Sequence, residues 1–320
     1  MAENIELMLQ HIRPVTKYDD YMTKFSHSRL ENFTNCNRSY MYKYVYKNYS
    51  FDGSIATEIG SICHRVLELK AGYKMRHEEV DYNKLLNILY KGDTDEGLIG
   101  IDDIKLKYCD EWEEFDQKSG LFYEEKIQLF INDVLPYEME DKDWEVLAAE
   151  QEFEFVYLDK YIIGGFIDRI DCKRDNDGNI MALRVVDYKT SKKVFDESHN
   201  KTAQQMLIYG LACYIMYGIL PEQYQYIFVL IDREQLAMTK GYLARGLKKL
   251  DGVFAKIEEC ENSGCYKPSP CPLCAYCSYS VTNPNANEFK NYCEYYSLWT
   301  PYNKTYAVNK EYSLEDDMEI

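Results

Sequence analysis

The first periodic stretch begins at Ser26. Ser28 followed three residues later by Glu31 has the form of a capping box, and Leu30, Phe33, Tyr40 and Tyr44 follow it, so a helix is predicted to start here. Ile59, Ile62, Val66 and Leu67 recur at helical spacing and predict a second helix over 57–73, with Gly60 permitting a close approach. On that helix His64 and Glu68 lie one turn apart on one face. Amphipathic stretches such as 82–89 and 123–135, broken by the Gly-Asp turn region at 92–97 and by Pro136, read as a helical insertion. The period then changes from helical to alternating. Segments 144–157, 161–171 and 180–189 read as strands, the last two joined by Arg174-Asp175-Asn176-Asp177-Gly178-Asn179, which is hairpin chemistry. A helix over 203–216, a strand over 226–231 and a helix over 235–259 complete the pattern. This order indicates an α/β or α+β sheet domain with helical decoration.

Residues 260–296 are rich in Cys, Pro and Asn and too irregular to build an apolar core of their own. The expected organisation is a polar lead-in at 1–24, one domain over 25–300 with the insertion at about 75–140 and a Cys-rich cap at about 260–296, and an acidic tail at 301–320. The 320 residues exceed the roughly 250–300 at which one core stops growing, which suits one elaborated domain and excludes a small disulfide-stapled fold. With 37 Lys and Arg against 54 Asp and Glu, the net charge of −17 excludes a uniformly basic protein that coats nucleic acid. Any such contact must be local. The 31 tyrosines exceed what a core needs, so rings are expected at surfaces and grooves, unless nucleotide bias in the genome inflates their number. The opening MAENIELMLQHIRP has neither a basic leader nor an apolar run, and no segment reaches the roughly 18 consecutive apolar residues of a membrane span. A soluble cytoplasmic protein with no membrane partner is the expectation. Its 11 cysteines are then expected to be reduced, and a cluster of them points to metal rather than to disulfides.

The most informative segments are Gly165-Phe166-Ile167-Asp168-Arg169-Ile170-Asp171 and Val186-Asp187-Tyr188-Lys189-Thr190. In each a carboxylate follows an apolar strand, and alternation places Asp187 and Lys189 on the same face. If the two strands are neighbours, Asp168, Asp187 and Lys189 converge. Adjacent carboxylates repel unless a cation lies between them, and Mg²⁺ is the usual occupant. A lysine beside them stabilises negative charge developing on phosphorus. In isolation so short a pattern is most often a hairpin with solvated charges. Here Glu150 precedes it on its own strand, His64 lies on a helix upstream, and Gln205 and Tyr209 stand one turn apart on the helix that follows.

The chain resembles the RecB-like branch of the PD-(D/E)xK nucleases, which includes the AddB nuclease domain and the CRISPR-adaptation exonucleases. Five ordered blocks carry the resemblance: Ser28-Arg29-Leu30-Glu31 through Cys36; Gly60-Ser61-Ile62-Cys63-His64; Gly165 to Asp171; Val186 to Thr190; and Gln205-Met206-Leu207-Ile208-Tyr209. It implies a restriction-endonuclease-like central mixed sheet flanked by helices. It also implies that His64, Asp168 and Asp187, with the backbone carbonyl of Tyr188, bind Mg²⁺ or Mn²⁺, and that Lys189 is the catalytic lysine. Glu150 becomes an acidic helper, with Glu152 competing for that place, and Gln205 and Tyr209 position the scissile strand or support the site. The implied activity is metal-assisted phosphodiester hydrolysis, more exonuclease than endonuclease, on single-stranded DNA ends, in recombination, repair or processing. A protein partner from recombination or CRISPR adaptation fits the branch, as does a phage, bacterial or archaeal source.

Cys271-Pro272-Leu273-Cys274-Ala275-Tyr276-Cys277 is a C-x2-C-x2-C run, with Cys260, Cys265 and Cys293 nearby in sequence. Two intervening residues let the chain turn so that thiolates face one soft metal or cluster. Relatives with this signature hold a [4Fe–4S] cluster with one cysteine from the first helix, matched by Cys36, and three from the C-terminal segment, the first two matched by Cys271 and Cys274. The position of the last is occupied by Ser280, so Cys277 or Cys293 substitutes. Zn²⁺ held by Cys271, Cys274, Cys277 and Cys293 is the alternative. Contacts to DNA are expected from Arg38, Lys43 and Lys47 interleaved with Tyr40, Tyr42, Tyr44 and Tyr46, from Lys192 and Lys193, and from Lys248 and Lys249, the last two being as well explained as a solvated helix face. Two other classes fit less well: a nucleic-acid-binding or assembly subunit that keeps the fold and works through a partner, and a glycosidase, which needs neither lysine nor cysteines.

Overall fold

The computed structural model describes residues 9–48, 53–191, 194–195, 204–236, 243–271, 274–275, 277–280 and 292–293. By internal contacts the chain divides into two units, Met1–Lys24 with Gly53–Leu247, and Phe25–Asp52 with Lys248–Ile320.

The first unit is built on a mixed sheet. Strands β1 (Ile12–Pro14), β3 (Glu145–Tyr157), β4 (Tyr161–Arg174), β5 (Ile180–Lys189), β6 (Gln223–Phe228) and β7 (Arg233–Leu236) lie in that order, and β2 (Thr23–Phe25) pairs β4 off this path. All these neighbours along the path are antiparallel except β5 and β6, which run parallel with Asp187 opposite Tyr226. A parallel pair needs a crossover, and the helix Gln204–Tyr217 lies between β5 and β6 in the chain. The result is an α/β fold with a seven-stranded central sheet flanked by helices, as the restriction-endonuclease-like expectation requires.

The second predicted helix runs over Ile55–Met75 and starts one turn earlier than its apolar pattern, because Ser54 caps it by accepting from the Thr57 backbone N–H at 3.2 Å. Its Ile59, Ile62, Val66 and Leu67 are fully buried in one cluster with Val186 and Tyr188 of β5 and Ile227 of β6. The same cluster takes in Leu85 and Leu89 of the helix Tyr82–Lys91, Ile104 of the helix Ile101–Lys107, and Ile127 of the helix Tyr123–Leu129. At about 1.5–3 kcal/mol for each large apolar side chain, this burial fixes His64 relative to β5. On Gln204–Tyr217 a Cβ at Gly210 would come within 2.3 Å of the Tyr224 hydroxyl, so that position must be glycine for the helix to sit against β6.

Several boundaries differ from the sequence reading. The lead-in supplies β1 and β2, short strands with too little alternation to declare themselves. Residues 123–135 form an α-helix only to Leu129 and continue as a π-helix over Phe130–Val134. Residues 233–236 are a strand rather than the start of a helix, and the last helix is Leu243–Ser263.

In the second unit the helix His27–Asn35 is capped by Ser26, which accepts from the Arg29 backbone N–H at 3.2 Å; the predicted capping box on Ser28 is displaced by this earlier cap. A short helix Asn37–Tyr40 and a π-helix Met41–Val45 follow. Phe25 meets Phe254 edge to face at 5.2 Å, and the Arg29 guanidinium lies over the Phe25 ring at 4.3 Å. Arg38, Tyr40 and Tyr42, expected among the DNA contacts, are buried here and act as core; Lys248 and Lys249 are exposed, and Lys192 and Lys193 lie outside the described residues.

Candidate active site and cysteine pocket

The β4 and β5 ladder closes at Arg169 opposite Val186, one residue short of Asp168 and Asp187. Beyond it, the Tyr188 backbone N–H donates to Asp168 Oδ2 at 2.7 Å, so the carboxylate replaces a missing strand partner. On the other side of β4, pairing runs from Ala149 opposite Arg169 to Gln151 opposite Ile167 and steps over Glu150 and Asp168. Glu150 has φ of 44°, an uncommon left-handed conformation for a residue other than glycine, and costs on the order of 1–3 kcal/mol. That distortion lies where Glu150 joins His64 and Asp168, whose ligand atoms come within 4.8 Å of one another. Glu152 is exposed and lies opposite Phe166, outside this group.

His64 projects from Ile55–Met75. Its Nε2 lies 3.1 Å from the Tyr188 carbonyl, which can only accept, so Nε2 carries the proton in this bond. In the neutral ring Nδ1 then presents a lone pair 3.6 Å from Asp168 Oδ2. Two electron-rich atoms so close call for a cation between them. Asp187 is almost fully buried and ion-pairs with Lys189 Nζ at 2.5 Å. Lys189 in turn donates to Gln205 Oε1 at 2.9 Å, Gln205 Nε2 donates to the Tyr209 hydroxyl at 2.9 Å, and that hydroxyl reaches Asp187 Oδ1 at 3.5 Å. The same-face placement of Asp187 and Lys189 and the one-turn spacing of Gln205 and Tyr209 thus close into one ring of contacts.

The electrostatics are those of a site short of positive charge. Burial first, then the Asp168 charge, push the Glu150 carboxyl up to about 7. Burial and Asp168 also raise Asp187, and Lys189, though in contact, does not offset them. The donors that lie together, the imidazole of His64 and the carboxylates of Glu150 and Asp168, fit a hard divalent cation, while Asp187 lies beside them and is engaged by Lys189 and Tyr209. Glu150 and His64 open onto a cleft of about 550 Å³ whose walls include Ser61, Glu68, Phe166 and Thr190.

Behind the site lies a buried ionic network that sequence reasoning missed. Arg169 pairs with Glu138 and with Asp171 at 3.0 Å, and donates to the Tyr188 hydroxyl at 2.5 Å. Arg184 pairs with Asp171 at 2.8 Å and Asp141 at 2.9 Å. Tyr188 is therefore held at both ends, by Arg169 through its hydroxyl and by His64 through its carbonyl. Asp171 and Arg169 were visible within a motif, but Glu138 lies at the end of the insertion and Asp141 just past it, and neither gave a local signal.

In the second unit Cys36, Cys271, Cys274, Cys277 and Cys293 line one cavity of about 270 Å³, together with Ser280. The backbone N–H groups of Cys274, Cys277 and Ser280 each donate to the carbonyl three residues earlier, at 2.9, 3.1 and 3.1 Å. Three residues per turn bring side chains at i and i+3 into line, which is why the C-x2-C-x2-C spacing gathers its thiols. Cys293 donates from its backbone to Tyr279 at 2.8 Å and bridges Ser280, so it arrives beside the serine that interrupts the pattern. Burial pushes the Cys274 thiol up to about 11 and raises Cys277 as well.

Fold and site together define a PD-(D/E)XK type of nuclease. The model of the PD-(D/E)XK nuclease superfamily matches residues 24–282, and the chain belongs to that superfamily, whose members are metal-dependent phosphodiesterases acting on nucleic acid. Comparison with curated proteins gives no match. Among the described residues no helix is long and apolar enough to cross a membrane.

Proposed function

We propose that the protein is a divalent-metal-dependent DNA nuclease of the RecB-like branch, an exonuclease acting on single-stranded ends in recombination, repair or DNA processing. The observation that carries the proposal is the convergence of His64, Glu150, Asp168, Asp187 and Lys189 at the fork between β4 and β5.

His64, Asp168, Asp187 and the Tyr188 carbonyl, with Glu150, would hold Mg²⁺ or Mn²⁺, which supplies Lewis acidity for the attack of water and offsets charge developing at phosphorus. The protein's own residues do the rest. Lys189, anchored by Asp187 and Gln205, keeps an N–H for a phosphate oxygen and stabilises its added charge. Gln205 and Tyr209 fix the rotamer of that lysine and keep Asp187 oriented. Without the cation, burial and the Asp168 charge raise the Glu150 carboxyl to about 7, and the cation would favour its ionised, ligating form. Arg169 and the network behind it hold Tyr188, and with it the fork.

The cysteine pocket supports a structural [4Fe–4S] cluster held by Cys36, Cys271, Cys274 and Cys277, with Cys293 as the alternative last ligand. Cys277 is favoured because backbone N–H groups and the Ser39 hydroxyl already point at its sulfur. Among the described residues no three of these thiols lie within 4.8 Å of one another, a spacing wider than the one that ligands around a single zinc ion adopt, which favours the cluster over zinc. When bound, the group would tie Cys36 to the C-terminal cysteines and hold that segment in place.

The test is incubation with end-labelled single- and double-stranded DNA in Mg²⁺, Mn²⁺ or EDTA. Shortening of single strands from an end, abolished by EDTA, is expected. If neither metal supports degradation of any substrate, the protein is a binding or assembly subunit and the nuclease proposal fails.

A further inference from the structure

Phe166 lies in the wall of the active-site cleft beside His64 and Glu150, yet its side chain is 53% exposed. Leaving a phenylalanine in water forfeits most of what its burial contributes. The ring is mounted rigidly. Phe166 pairs with Glu152 within an unbroken run of β3 and β4 pairs that includes Gly165 opposite Phe153 and Ile167 opposite Gln151, and Ile167 beneath it is fully buried. It precedes Asp168 by two residues, on the order of 6–7 Å along a strand at 3.3–3.4 Å per residue. That distance is about the reach from a phosphate to the base attached next to it. The rest of the wall is mostly polar or charged, Thr57, Ser61, Arg65, Glu68, Glu96 and Thr190 outnumbering the apolar Ala56 and Leu98, so a ring stacked there would belong to a ligand that also carries polar groups.

We infer that Phe166 is a stacking platform for one unpaired nucleobase next to the scissile phosphate, and that this contact makes the site prefer DNA whose bases are unpaired at the cleavage point. The inference rests on the nuclease reading above and deepens it to a substrate class. In a duplex both faces of a base are covered by its neighbours, so the ring gains nothing until the stack opens. In a single strand the face is free, and stacking on an aromatic ring is tolerant of sequence because every base has a π-face.

The test couples the ring to the base. Binding of a short single-stranded oligonucleotide is measured by fluorescence anisotropy in EDTA, for the full-length wild type, Phe166→Ala and Phe166→Trp. The oligonucleotides are intact or carry one abasic site stepped along their length. Phe166→Ala is expected to weaken binding of the intact strand about 5- to 100-fold with little change for a blunt duplex, and Phe166→Trp to restore it. At one position the abasic site should weaken the wild type by a similar factor and have no further effect in Phe166→Ala. A 2-aminopurine at that position should be quenched by the wild type and not by Phe166→Ala. Equal abasic penalties in wild type and Phe166→Ala at every position overturn the inference, as does an equal loss for single strand and duplex. In those cases metal-dependent cleavage by the wild type leaves the nuclease reading standing. A wild type that neither binds nor cleaves DNA overturns both. Because the ring is exposed, unchanged thermal unfolding of Phe166→Ala verifies the fold.

Discussion

In the first unit, His64, Glu150, Asp168, Asp187 and Lys189 stand on one helix and three strands whose intervening residues are buried, Ile62, Val66, Ile167 and Val186 among them. In the second, four of the five thiols that line the cavity come from short i to i+3 turns and one bridge, with Cys260, Tyr266, Pro268 and Tyr279 buried among the described residues of that segment. The carboxylate site therefore has its geometry before any cation arrives, and burial and mutual repulsion leave it short of positive charge. The cysteine pocket has matching donors on turns and a single bridge, so the ligation proposed there would be coupled to local folding. Removing a ligand should consequently change chemistry without structure in the first unit, and structure in the second.

The sharpest way to break this comparison is to substitute the lysine or its partner. Lys189→Ala and Asp187→Ala should each lower the cleavage rate on the order of 10³-fold, about 4 kcal/mol, while circular dichroism and thermal unfolding stay near wild type. Cysteine substitution should do the reverse. Cys271→Ser combined with Cys274→Ser is expected to abolish binding of the iron proposed for this pocket, and to open the 260–296 segment to limited proteolysis while the 53–247 core stays resistant. A protein that keeps its iron, or that is cleaved evenly along the chain, breaks the contrast. A smaller effect belongs to the contact ring. Tyr209→Phe removes the hydroxyl that accepts from Gln205 and reaches Asp187, and should reduce kcat roughly tenfold with KM unchanged.

The smallest effect is one of stability and pH. Glu150 releases its proton near 4.5 when unfolded and near 7 in the folded, metal-free protein, so between these values the folded state binds more protons and stability falls as pH rises. The contribution is present in full below the unfolded value and lost through the folded one. After discounting for partial solvent exposure it amounts to on the order of 1–2 kcal/mol. Denaturant titrations of metal-free protein at pH 5 and pH 8 should show this loss, and Glu150→Gln should reduce it, leaving the part that the raised Asp187 carboxyl contributes over the same range.

How much of this was legible in sequence depended on how local each signal was. Asp187 and Lys189, two residues apart on a strand, and Gln205 and Tyr209, one turn apart on a helix, could be read because their spacing is their geometry. The neighbouring of β4 and β5 followed from the hairpin chemistry at 174–179. The pairing of β1 with β3, by contrast, joins residues more than 140 positions apart, and three-residue strands carry too little alternation to announce a register. The turn of backbone at Glu150 has no sequence signature, since only the tertiary setting can hold a glutamate at positive φ. Arg38, Tyr40 and Tyr42 looked like a basic aromatic stripe because composition cannot tell which face of a helix is covered. The five ordered blocks pointed to the superfamily that the family match shows, and Cys293, one of the two substitutes the sequence offered for Ser280, bridges that serine.

The central claim, that the fork between β4 and β5 holds the cation that drives cleavage, is tested most directly by titrating Mn²⁺ into the full-length protein and following bound ion by electron paramagnetic resonance alongside cleavage of single-stranded DNA at the same concentrations. The account predicts that binding and cleavage rise together with one midpoint in the wild type and that both disappear in a folded Asp168→Asn variant. Cleavage that persists in Asp168→Asn, or Mn²⁺ bound there as tightly as in the wild type, would contradict it.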